Sequence, residues 1–476
     1  MVSQSRRLLF LFIGMLVLVV SGCANTGSGQ PSPAVLDGTG RIVIRNASLV
    51  LTMDPKLGEG PLGQLRDADV LIDHDRIGAV GKHLAAGGAT ALDGHDKIVL
   101  PGFVDTHNHL WQTLIRGCAT DQELNGWLRG CVLPLYSASV PAPISGADGY
   151  AGARLGTLDV ISSGVTTVTD WSHAFNADFA RGNLRALQDS RLRFVFAYGA
   201  NRQPATLAEI RRVKRESIDP DPLAHLEIGV HPTAANYDNT VAAQRLAEEL
   251  GVPLNVHLHE SPADPATGQL DALRRAGALR PGLVTDHTIQ MTDADLDELA
   301  AHDVRVAHNP LSNMRLASGI ARVPDMRARN MKVGLGLDGG TDDGSDMFAD
   351  MKAAVGLQRA VSHDPARFPT PPDVLRMATL GGAEVLGLDG QIGSLTPGKQ
   401  ADVQLINPAA LDFAPQLDWV SQLVFNGQPA NVEWVFVAGR ALKRDGRVVG
   451  DQARVVADAQ AASDRIQKLL GRNSPR

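Results

Sequence analysis

One rhythm runs through the middle of the chain. Apolar, β-branched runs end near His109, Asp170, Gly199, His231, His259, His287, His308 and Asp338. After the second, each end follows the last by 29, 32, 28, 28, 21 and 30 residues. A strand with a returning helix takes roughly 30 residues. Helical patterns fill the gaps, such as VAAQRLAEEL (241–250) and TDADLDELAAH (292–302), the latter opened by a threonine cap. Eight strands with crossover helices predict an α/β fold, a (β/α)8 barrel of the TIM type over residues 98–390. The 61 residues between the first two strand ends must hold an insertion, which contains Trp111, Trp127 and Cys131.

The flanks read differently. Residues 41–97 and 391–450 carry short β-rich runs punctuated by Gly and Asp, among them ADVLIDHDRIGAVG, ADVQLIN, WVSQLVF and VEWVFVAGRAL. They predict a small β-sandwich domain formed from both ends of the chain. A C-terminal helix in 451–476 is expected to pack outside the barrel. The run Ile98 to Val104 reads as one strand, the first of the barrel.

The N-terminus predicts export. Arg6 and Arg7 precede a 13-residue apolar run, Leu8 to Val20, followed by Ser21, Gly22 and Cys23. That run is too short for a membrane-spanning helix, which needs about 20 residues, but suits a signal peptide over 1–22. Val19-Val20-Ser21-Gly22-Cys23 resembles a bacterial lipobox, which implies lipidation of Cys23 and an exported lipoprotein anchored to the membrane and facing the periplasm. Residues 23–40 would be a flexible tether. The remaining cysteines, Cys118 and Cys131, fit no metal motif and are expected to be two free buried thiols, with oxidation of the pair in an exported protein as the alternative. A net charge of −7 with no basic block argues against a nucleic-acid partner.

The strand ends carry the chemistry. In PGFVDTHNHL, His107 and His109 are two residues apart and share a strand face at the barrel rim where such enzymes build their sites. HLHE adds His257 and Glu260, DHT adds Asp286 and His287, HNPLSN follows the seventh run, and LGLDGG ends in Asp338. Three imidazoles and a carboxylate suit one divalent ion: zinc first, with iron and manganese compatible.

In this order and spacing the motifs resemble the amidohydrolase superfamily, and within it the single-metal deaminases and chlorohydrolases of aromatic N-heterocycles. The resemblance implies that His107, His109, His257 and Asp338 are metal ligands, that Glu260 shuttles a proton, and that His287 polarises water and substrate. It also implies substrate contacts from Gln112 and His231. Trp171 and His173, at the end of the second strand, would wall the pocket, while His308 and Asn309 would shape the seventh turn. His259 is expected to point away from the metal. Two-metal members bridge their ions with a lysine, but between Lys97 and Lys332 the chain has only Lys214, in a charged helical run. One metal is therefore expected.

The predicted activity is hydrolysis of a non-peptide carbon–nitrogen bond, by deamination of a purine, pyrimidine, pterin or triazine. Removal of chloride or alkylamine, or opening of a ring amide, is the alternative chemistry. A non-catalytic ligand-binding lipoprotein is the alternative class, which the intact constellation disfavours. Asp342, Asp343 and Asp346 either line the mouth, favouring a neutral or cationic substrate, or form a solvated loop and helix cap. Homo-oligomers are common in the family resembled.

Overall fold

The computed structural model describes residues 37–136, 144–342 and 344–472. Residues 1–36, with the signal, Cys23 and most of the tether, lie outside this range, as does Asp343. No helix among the described residues is long and apolar enough to cross a membrane.

Eight parallel strands form one curved sheet in chain order: Phe103–Asn108, Val165–Ser172, Arg193–Gly199, Ala224–Gly229, Leu254–Leu258, Val284–His287, Arg305–His308 and Val333–Leu335. The last returns to the first: the Thr106 hydroxyl donates to the Leu335 carbonyl at 2.8 Å, and the Asp338 N–H donates to the His107 carbonyl at 2.8 Å. The strands end within three residues of the positions read from the sequence. The far mouth is closed by the helix Gly382–Leu386, whose Ala383 and Val385 pack on Val104, Val195 and Val284.

Two smaller sheets make the sandwich. One, of four strands, comes wholly from residues 41–93. The other, of seven, joins Leu49–Leu51, Gln64–Leu65 and Ile98–Pro101 to Val403–Ile406, Val432–Val437, Arg440–Arg444 and Arg447–Val448. Ile42, Ile44, Val70 and Ile72 of the first sheet meet Val99, Val403, Leu405 and Phe436 of the second in one core. A buried ion pair ties sandwich to barrel: Arg193 Nε donates to Asp402 Oδ2 at 3.1 Å, and Asp402 also accepts the Ala438 N–H.

Three expectations are corrected. The run Ile98 to Val104 is two strands, not one: Ile98–Pro101 pairs with Val403–Ile406 in the sandwich, and the barrel strand begins at Phe103. The break is Gly102, where a Cβ would lie 2.0 Å from the Thr166 side chain. WVSQLVF is not a strand but a helix, Trp419–Phe425, whose first turn is capped by the Asp418 carboxylate accepting from Val420 N–H. Cys118 and Cys131 are not free thiols. They form a disulfide within the insertion, with Cα atoms 6.2 Å apart. That insertion packs Trp111, Leu114 and Trp127 against Ala459, Ala462 and Ile466 of the C-terminal helix Gln452–Leu469, which lies outside the barrel as expected.

Candidate metal centre

His107 and His109 leave the first strand on the same side, His257 leaves the fifth, and Asp338 follows the eighth. Their ligand atoms all lie within 4.8 Å of one another. His107 Nε2 is 3.2 Å from Asp338 Oδ1, His109 Nε2 is 3.5 Å from that oxygen, and His109 Nε2 is 3.2 Å from His257 Nε2. Four donors arranged tetrahedrally about an ion at about 2.0–2.1 Å would be separated by about 3.3–3.5 Å. The constellation has the spacing of a coordination shell.

The second nitrogens set the tautomers. His109 Nδ1 donates to the Trp171 carbonyl at 2.7 Å. His107 Nδ1 lies 3.2 Å, and His257 Nδ1 3.7 Å, from Asp286 Oδ2. With each ring proton on Nδ1, the Nε2 lone pairs point inward. Two such lone pairs facing at 3.2 Å repel each other unless a cation lies between them. The donor set therefore fits a divalent transition metal. Asp338 is oriented from behind by the hydroxyls of Ser312 and Thr341, both of which donate to Oδ2.

The electrostatics set His107 apart from the other two imidazoles. Burial pushes His109 down to about 3 and His257 well below the usual histidine range, and neighbouring imidazoles add to the effect. Burial also opposes charge on His107, but the carboxylates of Asp286 and Asp338 outweigh it and raise its pKa. Burial likewise opposes charge on Asp338, yet His287 and His107 hold it well below the ordinary carboxyl value. Asp338 and His287 both adopt left-handed backbone angles, φ of 59° and 66°. Strain of this kind costs on the order of 1–3 kcal/mol per residue and concentrates at working sites.

Beside the ligands stands a second pair. Glu260 Oε2 is 3.5 Å from His287 Nε2, and both groups reach Asp338. Burial first, then the Asp338 charge, raises Glu260 well above the carboxyl range. Burial keeps His287 neutral, with a pKa of about 3. The amide nitrogens of Asn313 and Asn309 face His287 Nδ1 at 2.8 and 3.2 Å. Nδ1 thus accepts, and the ring proton sits on Nε2, facing the pocket.

The remaining candidates fall into place around this centre. Trp171 and His173 wall it: their rings lie 5.7 and 4.6 Å from that of His109. Trp111 Nε1 donates to His173 Nδ1 at 3.0 Å. His231 packs 5.0 Å from Trp171 and 5.1 Å from His257, with its ring exposed to the mouth. Gln112 is buried, and its side-chain oxygen accepts from the Gly340 N–H at 3.0 Å, pinning the loop after Asp338. His259 turns away, with Nδ1 3.2 Å from the Gln290 carbonyl. His308 is buried, and its carbonyl accepts from Gly336 N–H. Asn309 does more than shape a turn, since it faces His287. Asp346 caps the helix Met347–Ser362 through Phe348 N–H, while Asp342 is buried rather than solvated. Lys214 bonds Asp219 on a helix away from the rim, so no lysine there can bridge two ions.

Sequence reasoning gave Asp286, Ser312, Asn313 and Thr341 no role. Asp286 sits directly before His287 in DHT, and its place inside the barrel could have been read by counting alternate residues along the sixth strand.

An open-mouthed barrel with this donor set and an adjacent acid is the architecture of a metal-dependent hydrolase. Residues 98–442 match the Amidohydrolase family, and the chain belongs to it. It is an enzyme that hydrolyses carbon–nitrogen bonds other than peptide bonds. A 5'-deoxyadenosine deaminase of Methanothermobacter thermautotrophicus is 34% identical over 436 residues, covering 88% of this chain and 98% of the relative. A 5-methylthioadenosine/S-adenosylhomocysteine deaminase of Nitratidesulfovibrio vulgaris is 32% identical over 419 residues, covering 85% and 93%. Among solved structures, an adenosine deaminase from Xanthomonas campestris with bound zinc superposes with a TM-score of 0.80 at 27% identity, covering 90% of this chain and 98% of that one.

Proposed function

We propose that this protein is a zinc-dependent deaminase of adenosine-type compounds, replacing the amino group of a 6-aminopurine with oxygen and releasing ammonia. The observation that carries the reading is Glu260 standing 3.5 Å from His287, both beside the four-donor cluster. Deaminase relatives that span nearly the whole chain support the substrate class. The zinc in the Xanthomonas structure supports the metal.

When bound, zinc supplies Lewis acidity that lowers the pKa of water from about 15.7 to about 7. Asp338, held as a carboxylate, takes a proton from the attacking water. The Nε2–H of His287 hydrogen-bonds the oxygen that develops negative charge. Glu260 gives its proton to the ring nitrogen beside the attacked carbon; the proton taken by Asp338 then passes to the departing amine, and the hydroxyl proton of the adduct returns to Glu260 as the carbonyl forms and ammonia leaves. His231, exposed beside the buried Trp171, offers a ring against which a flat heterocycle can stack.

The test is ammonia release by the zinc-loaded protein from adenosine, 5'-deoxyadenosine, S-adenosylhomocysteine, guanine and cytosine, with chloride release from a chlorotriazine measured alongside. The reading expects ammonia from the 6-aminopurines. Chloride release with no ammonia from any purine contradicts it.

The same proposal includes the compartment. The apolar run Leu8 to Val20 and the lipobox-like segment ending at Cys23 support export and lipid anchoring. So does the Cys118–Cys131 disulfide, since such bonds persist in oxidising compartments. Cys23→Ser should release the protein from the membrane fraction; unchanged membrane retention would contradict the anchor.

A further inference from the structure

His173 stands beside the metal centre without belonging to the four-donor group. It follows the second barrel strand, and its ring lies 4.6 Å from that of His109. Trp111 decides what this imidazole can do. Its indole Nε1 lies 3.0 Å from His173 Nδ1. An indole nitrogen can only donate, so Nδ1 accepts and the ring proton of His173 sits on Nε2. The donor is rigid: Trp111 is 0% exposed, and its ring meets those of Phe175 and Phe179 edge-on at 5.1 and 5.8 Å. Phe175 also stacks on the His173 ring, with the planes 17° apart. His173 Nε2 makes no hydrogen bond with any described residue, yet it is not among the polar atoms sealed inside the protein. It opens on the pocket as an N–H whose direction is fixed, and it has no acceptor of the chain's own. With a free lone pair there, an imidazole so close to His109 could compete for the ion; the Trp111 bond removes that lone pair.

We propose that His173 donates a hydrogen bond from Nε2 to N7 of a 6-aminopurine substrate, and that Trp111 is the positioning residue that sets its tautomer. The inference rests on the deaminase reading above. An N–H facing a flat heterocycle needs a lone pair, and the purine rings offer three, on N1, N3 and N7. N1 is the atom that Glu260 protonates. N3 lies across the ring from the reacting carbon, whereas N7 flanks that carbon on the side away from N1. The protein has the same arrangement: Glu260 follows the fifth strand and His287 ends the sixth, while His173 follows the second, on the other side of the barrel mouth. A pyrimidine has no such atom, so this contact selects purines over pyrimidines.

The experiment compares kcat/KM for adenosine and for 7-deazaadenosine, in which a C–H replaces N7, on the zinc-loaded full chain. The variants are His173→Phe, which keeps a ring and loses the donor, His173→Gln, which keeps an N–H, and Trp111→Phe. The control is Trp127→Phe, the same exchange at another buried tryptophan of the insertion. A buried donor left unpaired costs roughly 5–150-fold, so the preference for adenosine should fall at least about fivefold in His173→Phe and Trp111→Phe and stay within about twofold of wild type in Trp127→Phe. His173→Gln should keep more of the preference than His173→Phe. Damage to packing slows both substrates alike and leaves the ratio where it was. Calorimetric binding of inosine against 7-deazainosine reads the same contact without turnover and should lose its preference in the same variants. An unchanged ratio in His173→Phe would overturn the contact, and an unchanged ratio in Trp111→Phe the positioning role; if His173→Phe does not fold, Trp111→Phe decides both. Loss of zinc from His173→Phe would also overturn the proposal, by making His173 a ligand. A wild-type chain that releases no ammonia from adenosine would overturn the deaminase reading, and this contact with it.

Discussion

Replacing Glu260 with glutamine separates proton transfer from metal binding. The side chain is 4% exposed and keeps its size in the variant, so packing is preserved. It lies outside the four-ligand set, 3.5 Å from His287 Nε2. A carboxamide neither gives nor takes a proton. General acid–base catalysis contributes typically about 10²–10⁴-fold, or about 3–5 kcal/mol of barrier. The upper part of that range is expected, because the other carboxylate in the cluster, Asp338, already handles the proton of the attacking water. Steady-state ammonia release should therefore fall by about 10³–10⁴-fold, while mass-spectrometric metal analysis still finds one zinc per chain. Turnover within tenfold of wild type would remove Glu260 from the chemistry. Loss of zinc would show that it serves the metal instead.

Other outcomes follow from the same structure. The Asn309→Leu/Asn313→Leu double variant removes both amides that face His287 Nδ1, at 3.2 and 2.8 Å, so the ring proton can settle on either nitrogen; turnover should drop roughly 10–100-fold with zinc retained, and an unchanged kcat would refute the tautomer assignment. The disulfide links residues 13 apart, which in the chain-entropy model contributes about 3 kcal/mol; the Cys118→Ser/Cys131→Ser double variant should lose about that much in urea unfolding, and an unchanged midpoint would show that the bond stabilises nothing. Glu227 is raised from 4.5 to about 7 by burial, so the folded state holds its proton more tightly than the unfolded chain does. Its stabilising contribution is present below about pH 4.5 and is lost as pH rises through about 7. Glu227→Gln should therefore lose less stability than wild type between pH 5 and pH 8, by up to about 3 kcal/mol; parallel curves would refute the shift.

Much of this molecule is legible in its sequence, and the parts that are not share physical causes. The barrel shows because parallel strands buried on both faces read as near-continuous apolar runs, and because seven of the eight end at a His or Asp near the rim. The candidate ligand cluster shows because His107, His109, His257 and Asp338 stand at those ends. Hidden were the features that depend on what a segment touches. Ile98 to Val104 is one apolar run in sequence, and only the approach of Thr166 to Gly102 divides it. WVSQLVF is short enough to suit either a strand or a helix; Asp418 was the cap that favoured the helix. The disulfide was hidden because its two cysteines lie within an insertion whose fold has no repeat to count from. The partners that orient the site come from neighbouring strands and loops: Asp286, Ser312 and Asn313 stand inside the motifs DHT and HNPLSN, but a sequence does not show which side chain each one holds.

The central claim is that three distant imidazoles and one carboxylate grip a single divalent ion. X-ray absorption on the zinc-loaded protein reads that shell directly. It should show zinc surrounded by three imidazole nitrogens and by oxygen, all at about 2.0–2.2 Å, with no sulfur and no second metal nearby. Asp338→Ala should reduce the oxygen contribution, and His257→Ala the imidazole one. A shell with sulfur, with fewer than two imidazoles, or with a metal–metal distance near 3.5–4 Å would contradict the account.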